Sequence, residues 1–80
     1  MTAISAAQLR AARGLLGWSQ VDLATAAKIG RATIADFESG KRDPYARTLV
    51  ELRDALEAAG VIFVAENGDG PGVRLRKDPR

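Results

Sequence analysis

The sequence predicts a mainly α-helical domain in which four short helices precede a C-terminal β-hairpin or strand extension. Apolar residues recur at helical spacing up to residue 59. Serine or glycine stands at most points where that spacing breaks, as helix caps do. Beyond residue 60 the pattern changes to two short apolar runs around a glycine-rich turn, which is typical of strands. We therefore divide the chain into a helical domain, residues 1–60, and a strand tail, residues 61–80.

The first helix is expected over Ala6–Leu16. Leu9 and Ala12 lie at the spacing that places them on one side of a helix, where they would supply core. Ser5 is a suitable N-cap because its hydroxyl can accept from a first-turn N–H, and Gly17 is a suitable end. This helix is expected to carry structure rather than chemistry.

A second helix is expected over Gln20–Ala27, capped by Ser19. Asp22 falls in its first turn, where a negative charge interacts favourably with the positive end of the helix. Val21 and Leu23 are assigned to its buried side. The helix then stops at a short polar segment.

A tight turn, Lys28–Gly30, leads to a third helix that we expect over Arg31–Ser39. Ile34 and Phe37 are expected to face inward, and Gly40 to end the helix in left-handed backbone. Two short helices joined by a tight turn and followed by a basic loop form the layout of a helix-turn-helix. In that motif the second helix enters the major groove of DNA.

A fourth helix is expected over Ala46–Ala59. Three leucines at helical spacing form its apolar side: Leu49, Leu52 and Leu56. Two strands are expected after it, Val61–Val64 and Val73–Arg76. Because two strands alone are marginal in water, the tail must pack on the helices or pair with a second subunit.

Size and composition favour binding over catalysis. Eighty residues give one modest core with little room for an enclosed active site. The chain has no cysteine and no histidine, which removes a disulfide framework, the usual zinc sites and an imidazole base. No secretory signal pattern or 18-residue apolar run occurs. We therefore expect a cytoplasmic binding protein, neither an enzyme nor dependent on a metal or cofactor.

Charge is distributed unevenly although the net charge is only +2. Residues 28–48 hold five basic and three acidic side chains, and residues 49–66 hold one and four. The tail, residues 70–80, holds four basic and one acidic. This pattern is expected if one face meets phosphate, although runs of charge often only solvate a surface.

Further residues of the helical domain match a known motif in type and spacing: Arg13, Ser19-Gln20, Leu23-Ala24, Ile29, Thr33-Ile34, Glu38, Gly40-Lys41-Arg42, Pro44 and Thr48-Leu49. Residues 9–56 thereby resemble the lambda-repressor-like, Cro/XRE family of bacterial and phage DNA-binding domains. The resemblance implies a sequence-specific transcriptional regulator of double-stranded DNA. It further suggests a repressor that binds a palindromic operator as a homodimer, with residues 31–39 as the recognition helix.

The expected base contacts are the outward residues of the third helix: Arg31, Ala32, Ala35 and Asp36. The planar fork of Arg31 can donate two hydrogen bonds to guanine O6 and N7, although it can equally contact phosphate or solvent. The alanine methyl groups can contact a thymine methyl or be passive surface. Asp36 can accept from a cytosine amino group or orient a neighbouring basic side chain.

The expected phosphate contacts are polar residues at the helix ends: Gln20, Thr33, Ser39, Lys41 and Arg42. The resemblance and the positive helix end favour this role for Gln20, whose alternative is an ordinary first-turn residue. Phosphate contacts raise affinity for every sequence and make it dependent on salt. The resemblance also implies a structural ion pair between Arg13 and Glu38. Trp18 is assigned to apolar packing before the second helix rather than to stacking on a base.

Three features depart from the family pattern. Lys28 stands where glycine is usual, Gly30 replaces a serine cap, and strands replace a fifth helix. The first two are tolerable, since lysine can adopt left-handed backbone at some cost and glycine is an acceptable cap. The third concerns dimerisation, which a single short recognition helix needs in order to define a site.

We assign dimerisation to apolar tail residues together with the fourth helix: Ile62, Phe63, Val64, Val73 and Leu75. A hairpin folded on its own subunit is the alternative. Two other functions stay open. One is an antitoxin that binds its own promoter and uses its tail to occupy a toxin partner. The other is a protein-interaction adaptor without DNA binding, against which Gln20, Arg31 and the basic loop argue.

Overall fold

The computed structural model describes residues 4–77. These residues form four helices and two strands: α1 Ala6–Leu16, α2 Gln20–Ala27, α3 Arg31–Glu38, α4 Ala46–Ala58, β1 Val61–Val64 and β2 Gly72–Leu75. The mainly α-helical fold with a C-terminal hairpin is confirmed. Within this part of the chain no helix combines the length and apolar character that crossing a membrane requires.

Four element boundaries differ from the predicted ones by a residue. Ser39 and Ala59 follow the last residues of α3 and α4 as C-caps, so each helix ends one residue early. β2 begins at Gly72 because Gly72 pairs with Val64, the last residue of β1. It ends at Leu75, which pairs with Val61, the first residue of β1. Strand ends are set by the partner strand, which the pattern of a single strand does not specify.

Capping boxes begin both α1 and α2. Ser5 Oγ accepts from the Gln8 N–H at 3.1 Å, and Gln8 Oε1 accepts from the Ser5 N–H at 2.9 Å. Ser19 and Asp22 repeat this exchange at 3.0 and 2.9 Å. Each box satisfies backbone N–H groups that the start of a helix leaves unpaired. The serines therefore fix where the two helices begin.

The core lies where the helices and β1 meet. Its largest fully buried side chains are Leu9, Leu23, Ile34, Leu52, Leu56 and Val61. Trp18 packs partly buried against this core, in keeping with its predicted apolar role. The prediction for Val21 was wrong, since its side chain is 57% exposed. Residues two apart on a helix point about 200° apart, so the burial of Leu23 turns Val21 outward.

The two strands pair with each other within the chain in an antiparallel hairpin. The register is Val61↔Leu75, Ile62↔Arg74, Phe63↔Val73 and Val64↔Gly72. Side chains alternate between the two faces, and Phe63 and Val73 pack against the helical core. Ile62 and Val64 lie on the other face, half-buried. β2 packs against α1 and β1 against α4, so the hairpin completes the chain's own fold.

One buried side chain fastens the hairpin to α1. Gln8 is 8% exposed, and its Nε2 donates to the carbonyls of Val64 and Gly72 at 3.3 and 3.1 Å. Its Oε1 meanwhile accepts from Ser5 in the capping box. The start of α1 and the loop end of the hairpin are therefore held by the same amide group.

Candidate nucleic-acid interface

The turn between α2 and α3 sets the direction of the second helix. Lys28 ends α2 in left-handed backbone, with a φ of 59°. The N–H groups of Lys28 and Ile29 both donate to the Ala24 carbonyl, and Ile29 packs against the core. Gly30 follows in extended backbone as the N-cap of α3. A lysine thus occupies a conformation that ordinarily favours glycine.

α3 turns one face to the core and presents the other to solvent. Its buried residues are Ile34, Phe37 and Glu38. Its exposed residues are Arg31, Ala32 and Thr33. Ala35 and Asp36 are half-buried, so only part of each side chain is accessible on the outward face. The first turn of α3 therefore presents the most accessible surface of this helix.

A buried ion pair joins α1 to α3. Arg13 Nε lies 2.7 Å from Glu38 Oε2, and Arg13 Nη2 lies 2.7 Å from Glu38 Oε1. Arg13 Nη1 also donates to the Trp18 carbonyl at 2.9 Å. Glu38 is 6% exposed, so its carboxylate depends on these donors in place of water. Two parallel hydrogen bonds fix both the distance and the orientation of the pair.

The ion pair stabilises the charged forms of both groups. Burial alone would raise the pKa of the Glu38 carboxyl. Hydrogen bonds from Arg13 and Gln20, with the positive charges of Arg13 and Arg10, outweigh burial and lower that pKa below its usual value. The hydrogen bond to Glu38 raises the pKa of Arg13. Glu38 is therefore a carboxylate at neutral pH.

Gln20 connects this ion pair to the exposed end of α3. Its Nε2 donates to Glu38 Oε1 at 3.0 Å, and its Oε1 accepts from Arg31 Nη1 at 3.3 Å. Hydrogen bonds thus run from Arg13 through Glu38 and Gln20 to Arg31, at the exposed first turn of α3. The guanidinium of Arg31 is exposed, and its Nη1 is held by the hydrogen bond to Gln20.

The family resemblance implied the pair of Arg13 with Glu38. That Gln20 and Arg31 join this pair in one network was not predicted. Gln20 and Glu38 are 18 positions apart, and only the crossing of α2 and α3 brings them together. Arg10, which donates to the Glu38 main-chain carbonyl, was not predicted. The available signal was its position on α1, three residues and about one turn before Arg13.

The basic loop after α3 is fixed to the end of that helix. The N–H groups of Lys41 and Arg42 donate to the Asp36 carbonyl at 2.8 and 3.2 Å, and Ser39 Oγ donates to the same oxygen at 3.2 Å. Gly40 permits the reversal through left-handed backbone, with a φ of 80°. The exposed side chains of Lys41 and Arg42 are thereby placed beside the C-terminal end of α3.

Cationic side chains flank the outward face of α3 at both of its ends. Residues 4–77 contain no group of three or more acidic side chains that could hold a metal ion. Arg31 lies at one end of α3, and Lys41 and Arg42 lie at the other. Cations at both ends can contact the phosphates that flank a groove, while the outward residues between them approach the base edges.

The fold and this interface define a helix-turn-helix DNA-binding protein. The Cro/C1-type helix-turn-helix family model matches residues 9–58, more than half of the chain. The chain belongs to this family, and the resemblance stated from the sequence is confirmed. The family is regulatory and not enzymatic, so the protein is by kind a DNA-binding transcription regulator. A search of curated proteins finds no match.

Proposed function

We propose that the protein is a sequence-specific repressor that binds a palindromic operator in double-stranded DNA as a homodimer. Residues 31–39 act as the recognition helix in each copy. The proposal places the protein in the cytoplasm together with its DNA. The observation that carries it is Arg31, an exposed guanidinium at the first position of α3 that Gln20 holds at 3.3 Å.

Arg31 reads guanine in this proposal. A guanidinium held on one side by the Gln20 carbonyl oxygen keeps further N–H groups for guanine O6 and N7. Restricting its rotamers before binding lowers the entropy lost on contact. A good bidentate contact discriminates against the wrong base by about 1–3 kcal/mol.

The remaining outward residues of α3 contribute smaller contacts. The exposed methyl group of Ala32 and the partly accessible one of Ala35 allow close approach and can contact thymine methyl groups. Asp36 accepts from a cytosine amino group through the accessible part of its carboxylate. Two alanines and one acid leave Arg31 as the main source of sequence preference.

Phosphate contacts come from both sides of α3. Gln20 uses one Nε2 hydrogen for Glu38 and keeps a second, which we assign to a phosphate. The others are the side chains of Thr33, Ser39, Lys41 and Arg42, all exposed. Because these contacts release condensed counterions, affinity for all sequences falls as salt concentration rises.

Dimerisation uses the outer face of the hairpin and the neighbouring helix. Ile62 and Val64 present half-buried apolar side chains there, and Val50 of α4 is 40% exposed. Leu75 pairs with Val61 and lies on the inner face, but its side chain is 43% exposed, and we assign it to the edge of the interface. Phe63 and Val73 act indirectly, because they pack against the core and fix the hairpin in place. A two-fold axis through such a patch would pair it with itself.

Selection from a random duplex library at fixed salt tests this function. The full chain should enrich a two-fold symmetric motif with a guanine in each half. Arg31→Ala should lose that guanine preference, with discrimination falling by about 1–3 kcal/mol, because the alanine offers no donors. Arg47→Ala, which removes an exposed arginine from α4, is the matched control and should keep the motif. Failure of the full chain to enrich any sequence would contradict the proposal.

A second candidate is an antitoxin that binds its own promoter and also occupies a toxin. The observation in its favour is the position of the hairpin, which packs on α1 and α4 and leaves exposed basic residues at the end of the described chain. A toxin gene beside the coding sequence, with a complex isolated from co-expressed proteins, would support it. The absence of any such neighbour would remove it.

A further inference from the structure

The outer edge of β2 is open for pairing. The Arg76 N–H donates to the Gly60 carbonyl at 2.7 Å, so these two residues form a hydrogen-bonded pair. Bonded and non-bonded pairs alternate along an antiparallel ladder, so the pairs that contain Leu75 and Val73 are non-bonded. Their N–H and C=O groups therefore point away from β1. Neither residue has another hydrogen-bond partner among residues 4–77.

Beside the hydrogen bond from Gln8 to the Gly72 carbonyl, a groove of about 350 Å³ lies between α1 and the start of β2. Ala7 and Ala11 line it from the helix, and Pro71 and Val73 line it from the hairpin. Both alanines are exposed, and their small side chains leave the space between helix and strand empty. The volume lies at the low end of the range for ligand pockets, about 300–1,000 Å³. It can accept a short extended segment but not a helix, whose diameter is about 10 Å.

One basic residue lies in β2, and two more follow directly after it. Arg74, Arg76 and Lys77 are exposed, and none of them forms an ion pair with another described residue. Arg76 donates to the main-chain carbonyl of Glu57, which leaves its charge uncompensated. Leu75 is 43% exposed among these cations. An incoming chain would therefore meet open backbone groups, apolar contact and three positive charges.

We propose that this groove, bounded by α1 and β2, binds an extended acidic segment of a partner protein, which adds to the hairpin as a third strand. The segment's backbone pairs with Val73 and Leu75, and its inward side chains fill the space beside Ala7 and Ala11. Its carboxylates interact with Arg74 of β2 and with Arg76 and Lys77, which follow the strand. Strand addition of this kind obtains affinity from main-chain hydrogen bonds and specificity from side-chain pockets. The site is separate from α3 and does not depend on DNA binding.

Two other occupants fit the observations less well. A second copy pairing β2 with β2 would bring like charges from the two strands together, which destabilises a sheet. DNA phosphate would satisfy the arginines but could not use the strand edge or the apolar groove wall. A peptide with alternating apolar and acidic residues matches all three features.

The test is a titration of the isotopically labelled full chain, followed by NMR, with a short peptide of alternating valine and glutamate. The amide signals of Val73 and Leu75 should shift, together with those of Ala7 and Ala11. Ala11→Leu, which fills the groove, should weaken binding by at least about fivefold. Ala58→Leu makes the same change at an exposed helical alanine outside the groove and should leave affinity unchanged.

Charge and strand edge are tested separately. Arg74→Glu should weaken binding of the glutamate peptide, and a peptide of alternating valine and lysine should not bind. Leu75→Pro removes the N–H that points away from β1 and leaves the hydrogen bonds between β1 and β2 intact. It should therefore weaken binding of the peptide at the strand edge. Thermal melts of each variant show whether it is folded.

Three results with the peptide would overturn the inference. They are no shift with the glutamate peptide, shifts confined to α2 and α3, or equal affinity for Ala11→Leu and the unaltered chain. Shifts of the β2 signals by a DNA duplex in place of the peptide would assign the basic strand to phosphate and also overturn it. Failure of the duplex selection experiment would leave the peptide result intact, so the two proposals fail separately.

Discussion

Glu38 is the buried charge of the helical core, and its neighbours are arranged to stabilise it. Its carboxylate accepts three side-chain hydrogen bonds, two from Arg13 and one from Gln20, while it is 6% exposed. A charge buried in this way is stable only while its partners remain, because water cannot replace them. The net stabilisation by the intact pair is small compared with the cost of breaking it.

Arg13→Ala should lower the free energy of unfolding by about 3 kcal/mol, because it leaves a buried carboxylate without its main partner. Thermal or urea unfolding at neutral pH measures the change. Arg74→Ala is the control, since Arg74 is exposed and forms no ion pair within the described chain. Equal melting temperatures for the two variants would contradict a structural role for the pair.

Acid should unfold the protein partly through Glu38. Because the pKa of Glu38 is lowered in the folded state, the unfolded chain binds its proton more readily. The stabilisation is complete above the ordinary value of 4.5 and is lost as pH falls through it towards the lowered pKa. Glu38→Gln should therefore show a shallower decline of melting temperature below that value. Parallel curves for the two proteins would rule out this contribution.

At the level of elements, the hairpin is fastened to α1 both by packing and by hydrogen bonds. β2 packs against α1, and Gln8 Nε2 bonds to one carbonyl on each strand. The same residue completes the capping box that begins α1. Loosening Gln8 should therefore affect an element more than fifty residues away in sequence.

Gln8→Glu separates these two roles. A glutamate can still accept from the Ser5 N–H, but its carboxylate has no donor for the carbonyls of Val64 and Gly72. We expect a loss of about 1–3 kcal/mol and faster amide exchange in the hairpin than in α3. Gln8→Ala, which also removes the capping box, should be at least as destabilised. Unchanged exchange in the hairpin of Gln8→Glu would contradict the anchoring role.

Local signals predicted the helices well because their ends are made by neighbours in sequence. Ser5 and Ser19 cap the helices they were expected to cap, and Lys28 adopts the left-handed conformation expected of it. Apart from the Arg13–Glu38 pair, which the family resemblance implied, the side-chain links that depend on tertiary distance were not predicted. Gln20 meets Glu38 only because α2 crosses α3, and Gln8 meets Val64 across 56 positions. Spacing along one chain carries no signal for such contacts.

On the scale of the whole molecule, α3 and the hairpin pack against different pairs of helices. α3 packs against α1 and α2, whereas the hairpin packs against α1 and α4. α1 is therefore shared by both parts. A dimer formed through the hairpin would fix the spacing of two recognition helices through this common helix, and the operator spacing would depend on its rigidity.

Ile62→Glu tests the dimer without removing the hairpin, whose inner face is needed by the core. A charge on the outer face should yield a monomer by light scattering, because it must be desolvated in an apolar interface. Affinity for the selected operator should fall by more than about tenfold, or 1.4 kcal/mol. Leu15→Glu introduces the same charge at an exposed position of α1, and this variant should remain dimeric. A dimeric Ile62→Glu would place the interface elsewhere.

The outward face of α3 has a consequence for how this protein can change over generations. Ala32 is exposed at the second position of the helix, so the fold does not require its small methyl group. Replacing it with a longer polar side chain costs little stability, since surface substitutions are usually within about 0.5 kcal/mol. In the proposed mode of recognition, one substitution at Ala32 would alter the preferred operator and leave the scaffold intact, so new regulatory targets would arise without an unfolded intermediate.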